Sequence, residues 1–91
     1  MEVTGFDYTP RFKRDLKSAD PQLQHAVKSA LKLLQENHRS VRAHALQGHK
    51  PRLFVMDVYS NHSWQVTFEL VDGVAVLQRL GTHKTIDRAP K

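Results

Sequence analysis

Apolar residues along this chain recur first by alternation, then at helical spacing, then by alternation again. Residues 3–8 (VTGFDY) alternate loosely and predict a first strand. Residues 9–18 (TPRFKRDLKS) open with Thr9 as a helix N-cap and Pro10 at the first helical position, and Phe12 and Leu16 share one face of a short helix. Asp20 and Pro21 repeat the start signal. Leu23, Val27, Ala30, Leu31 and Leu34 then follow helical spacing, with Lys28, Lys32, Gln35 and Glu36 outside, as far as Asn37 and His38. A basic segment follows, with one more helical turn expected around residues 40–46 (SVRAHAL) and a break at Gly48 and Pro51.

Three alternating runs come next. In residues 52–59 (RLFVMDVY), Phe54, Met56 and Val58 oppose Leu53, Val55, Asp57 and Tyr59. In residues 63–70 (SWQVTFEL), Trp64, Val66, Phe68 and Leu70 form the apolar face, against Ser63, Gln65, Thr67 and Glu69. Asp72-Gly73 is a two-residue hairpin signal, and residues 74–80 (VAVLQRL) complete a meander in which Arg79 points with Leu77 and Ala75. The expected fold class is α+β: a small single domain over residues 1–91, in β-α-α-β-β-β order. An antiparallel meander sheet carries two helices packed on one face, and the other face is polar and meets solvent or a ligand.

Composition narrows the picture. The 91 residues suffice for one modest core, and no run approaches the ~20 apolar residues of a membrane span. Cysteine is absent, so disulfides and thiolate chemistry are excluded, and without a secretion-signal pattern the expected location is cytoplasmic. Lys and Arg number 14 against 9 acids, a net charge of +5, which favours a polyanionic partner. Residues 39–52 carry Arg39, Arg42, Lys50 and Arg52, with His44 and His49, and no acid.

Alternate strand ends of a meander meet at one edge, which gathers Tyr59, His62, Ser63, Trp64, Gly81, Thr82 and His83. RNA cleavage needs a base for the ribose 2′-hydroxyl, an acid for the leaving 5′-oxygen and a cation for the phosphorane. Histidine suits the first two roles and Lys or Arg the third. His83 is the leading proton-transfer candidate, after a glycine that lets a substrate backbone approach, with Lys84 beside it. The bland reading is an exposed loop histidine. His44 is a second proton carrier or a helix-end residue, and Tyr59 is placed to stack on or bond RNA. Lys50, Arg52 and Arg79 are phosphate contacts or ordinary solvated charge. His49 and His62 read as turn residues, His25 and His38 as solvated. Without a His-x-x-x-His pair and carboxylate partner, no metal and no cofactor are expected.

Residues 44–48 (HALQG), 63–70 (SWQVTFEL), 80–86 (LGTHKTI) and 12–17 (FKRDLK) resemble the RelE/ParE toxin superfamily of toxin–antitoxin systems, with a YafQ-like character. The resemblance implies a ribosome-dependent mRNA endoribonuclease, metal-independent, cutting mRNA in the decoding site and silenced by an acidic antitoxin. His83 then matches the catalytic histidine of a Gly-Thr-His ending, and His44 the histidine of an H-x-L-x-G stretch. Tyr59 stands where YafQ-like proteins carry a further histidine, Ser63 where they carry an acid, and Asp87 where they carry an aromatic residue. Gln65 falls at an RNA-contacting position that RelE-like members fill with a basic residue. The alternatives are a ParE-like gyrase inhibitor, or an inactive relative that only binds antitoxin or RNA. Bringing His44 to the edge of His83 requires a returning loop through Gly48.

Overall fold

The computed structural model describes residues 2–37, 41, 43–46, 53–61 and 63–90. The two long helices form where their caps lie. Thr9 Oγ1 accepts from Phe12 N at 3.2 Å and starts α1 (Pro10–Ser18). Asp20 Oδ1 accepts from Leu23 N at 2.8 Å and starts α2 (Pro21–Glu36). Each carries proline in its first turn, where no N–H is needed. Leu23, Val27, Leu31 and Leu34 bury one stripe of α2, and Phe12 anchors α1.

Both helices follow β1 (Gly5–Tyr8) and cover a five-stranded sheet completed by β2 (Ala43–Leu46), β3 (Leu53–Asp57), β4 (Trp64–Val71) and β5 (Val74–Thr82), in the order β1-β5-β4-β3-β2. The antiparallel meander β3-β4-β5 is as expected. Its hairpin turns on Asp72 and Gly73, both at positive φ (50° and 84°), the conformation that a two-residue loop of this type demands. Between helices and sheet, Phe12, Leu34, Met56, Val66, Phe68 and Leu77 are among the buried core, and the rings of Phe54 and Phe68 stack at 5.4 Å.

Four expectations need correction. The turn of helix foreseen around residues 40–46 is in fact β2 over Ala43–Leu46, paired with β3. Its period of two, and the open edge of β3, decide the matter against alanine's helix preference. The sheet is also mixed, because β1 runs parallel to β5 from Gly5↔Val74 to Tyr8↔Leu77.

Over β3 and β4 the second face of the sheet is covered rather than solvated. Residues His83–Arg88 form a third helix, α3, capped by the Thr82 hydroxyl on Thr85 N. Leu53, Val55, Gln65, Thr67 and Ile86 are all buried outside the main core. Leu53 and Val55 make β3 apolar on both faces, so both are shut off from water. Thr67 Oγ1 donates to Pro90 O at 2.6 Å, drawing the chain after α3 across β4.

Finally, Arg79 does not point with Leu77 and Ala75. The ladder slips between Thr67↔Arg79 and Phe68↔Leu77, a bulge that leaves Gln78 unmatched and sends Arg79 to the face of Thr67.

Gly81 lies beneath α3. A Cβ there would meet Thr85 Cγ2 at 3.1 Å and Thr85 Cβ at 3.2 Å, so the glycine admits the protein's own helix. Gly81→Val should therefore cost about 1–3 kcal/mol by overpacking. Urea denaturation measures it, and amide exchange in residues 83–89 should rise alongside; an unchanged midpoint would contradict this packing.

Candidate active site

His83 is the first residue of α3, and its side chain is 63% exposed. Its Nδ1 lies 3.1 Å from Asp87 Oδ2, one helical turn on. The contact sets a carboxylate beside one ring nitrogen and leaves the other away from it, open to a substrate. Both groups are open to water, so the pair orients more than it stabilises. Lys84 follows, exposed on the same helix. Asp87 was noted in the sequence only as a departure; once a helix over residues 83–88 is known, the i,i+4 spacing reveals its part.

The other candidates lie elsewhere. His44 is exposed on β2, level with Val55, Thr67 and Arg79 across the sheet. His83 follows Thr82, which pairs with Trp64. β3 and β4 stand between the two histidines. Three strand spacings and three residue rises put roughly 17 Å between the Cα atoms of His44 and Thr82. At that span the two imidazoles are not in contact with each other. His44 itself is held in the β2–β3 ladder opposite Val55, and the segment through Gly48 lies outside the described residues.

Tyr59, just beyond β3, is half-buried against the helix-side core. Gln65 is 6% exposed, and its Nε2 donates to Asp57 Oδ1 at 2.9 Å. Arg79 Nε donates to Asp15 Oδ2 at 2.8 Å, with side chains 13% and 19% exposed. Gln65 and Arg79 thus have protein partners where a free RNA contact was expected. Lys50 and Arg52, with His38, Gly48, His49 and His62, lie outside the described residues. Asp15 was not foreseen. It is the one acid of α1, three residues beyond the buried Phe12 and beside Leu16, and that placement on the inner side of a basic helix was the available signal.

A shallow groove of roughly 230 Å³ runs where Asp15, Ala19, Trp64, Gly81, Thr82 and Thr85 meet, on the flank of α3. Among the described residues, no group of three His, Asp or Glu side chains is placed to hold a metal ion.

No protein-family model matches the sequence, and no curated protein matches it by sequence. Solved structures do match by shape. YafQ from E. coli strain BL21(DE3) superposes with a TM-score of 0.68 at 24% identity, over 89% of this chain and 94% of that one. The same toxin in the E. coli DinJ–YafQ toxin–antitoxin complex gives 0.68 at 23% identity, over 94% and 98%. RelE in the RelB–RelE antitoxin–toxin complex from Methanococcus jannaschii gives 0.72 at 14% identity, over 91% and 96%. This chain has the YafQ/RelE toxin fold. The similarity covers most of both chains in each pair.

The separation of the two histidines is directly measurable, since the chain has no native cysteine. Nitroxide labels on the H44C/H83C double variant should give a pulsed-EPR distance of about 15 Å or more. A population well below that would restore a two-imidazole centre.

Proposed function

We propose that this protein is the toxin of a toxin–antitoxin pair, acting in the cytoplasm as a ribosome-dependent mRNA endoribonuclease. The carrying observation is His83, exposed at the start of α3 and oriented by Asp87 in a fold shared with YafQ and RelE. Its free ring nitrogen moves the proton, taking it from the ribose 2′-hydroxyl or giving it to the leaving oxygen. Lys84 lies next to it as the cation for the scissile phosphate. In this reading His44, across the sheet, meets RNA farther along the strand and contributes to binding. Tyr59, half-buried, supports the sheet end more than it supplies a catalytic hydroxyl. Lys50 and Arg52 remain phosphate contacts in this reading, while Gln65 and Arg79 drop out of the RNA-contacting set.

The antitoxin is proposed as an acidic segment that folds on binding. The net charge of +5 supports this, as does the presence of antitoxins with YafQ and RelE in the structures matched. A second reading, binding without cleavage, draws support from the separation of His44 and His83 and the internal engagement of Arg79 and Gln65. Gyrase inhibition is one form of it.

Ribosomes programmed with a defined mRNA separate these readings. The wild type should cut the message, His83→Ala should lose about 10²-fold or more in rate with an unchanged fold, and His44→Ala should lose less. A folded His83→Ala protein that cleaves at the wild-type rate would remove the assignment. Growth arrest with DNA breaks and intact mRNA would move it to gyrase.

A further inference from the structure

We propose that Asp15 and Arg79 are positioning residues for His83: a carboxylate on α1 holds an arginine that pins the far end of α3. The inference rests on the nuclease reading for its functional consequence and on geometry alone for the positioning. α3 has six residues and one buried side chain, Ile86, far short of what a helix needs to persist by itself. Its placement must come from tertiary contacts at its two ends.

At the near end, Gly81 and the Thr82 cap fix where the helix begins. At the far end, two side chains hold the backbone after it. Thr67 Oγ1 donates to Pro90 O at 2.6 Å, and Arg79 Nη1 donates to Ala89 O at 3.3 Å. Arg79 is itself fixed, since Asp15 Oδ2 accepts from both its Nε, at 2.8 Å, and Leu80 N, at 3.0 Å. Sealing the edge of β5 past the end of β1 would need only an acceptor for Leu80 N. The bond to Arg79 Nε carries the connection round the edge to Ala89, so α1, β5 and the segment after α3 form one chain of contacts. His83 sits between these fixed ends, and the meeting of its Nδ1 with Asp87 depends on both. The proposal removes Arg79 from the phosphate-contacting set and gives the half-buried acid of an otherwise basic helix a purpose.

Asp15→Asn keeps an acceptor for Leu80 N and loses the charge. Arg79→Lys keeps a charge but not the fork that reaches both Asp15 and Ala89. In both variants, amide exchange in residues 85–89 should rise about tenfold or more, while amides of Val27 and Leu31 hold their wild-type rates. The His83 ring signals in NMR should shift toward those of an Asp87→Ala protein. On ribosome-bound mRNA, kcat should fall about tenfold with KM within about twofold. Should Asp15→Asn fail to fold, Arg79→Lys carries the same readouts. Unchanged exchange and unchanged His83 signals in a folded variant would overturn the proposal. So would exchange that rises equally in α2, which marks a general loss of stability. If the exchange and ring signals change as expected while the wild type cuts no RNA, positioning stands and the nuclease reading falls.

Discussion

A sheet strand that is apolar on both faces must be covered twice, and β3 imposes that condition on this molecule. Phe54 and Met56 need the two long helices; Leu53 and Val55 need something on the other side. On that side α3, a helix of six residues, packs over β5 and β4, and Thr67 of β4 bonds the chain that follows it. The second lid is therefore short and weakly helical in itself. It depends on a glycine to come close, a threonine cap to begin, and side chains from β4 and β5 to finish. The exposed histidine and its carboxylate ride on that lid, so the residues of greatest chemical interest sit on the element held least by its own burial.

Much of the scaffold was legible in the sequence because its signals are local. Thr9-Pro10 and Asp20-Pro21 announce their helices through groups that lie next to one another in the chain, and Asp72-Gly73 announces its turn by the backbone angles that only such residues accept readily. The alternation of Trp64, Val66 and Phe68 states which face of β4 is buried. The features that escaped are set by distant contacts. Ala43–Leu46 is too short and too rich in alanine to declare a strand; the open edge of β3 decides it. The bulge at Gln78 reverses the side on which Arg79 lies, and nothing in VAVLQRL marks where the ladder slips. α3 carries a single apolar residue, so it shows no period.

The site was legible in part for the same reason. His83 could be picked out by its place at the end of a strand and by resemblance, and its exposure on α3 suits that choice. The expected meeting with His44 was a wager on a loop, while the β2–β3 ladder leaves two strands between that residue and the strand that leads into His83. The residues assigned to RNA by resemblance and by charge, Gln65 and Arg79, have partners within the protein. Sequence reveals which residues are chemically able; register and pairing determine which of them have hands free.

The chain contains one tryptophan, and Trp64 lies half-buried on the groove where α1 approaches the start of α3. A single fluorophore at that junction gives the molecule a built-in optical gauge. Its emission follows the polarity of the groove, so docking of a partner there, or lifting of the terminal lid, registers as a change of colour and intensity without any label.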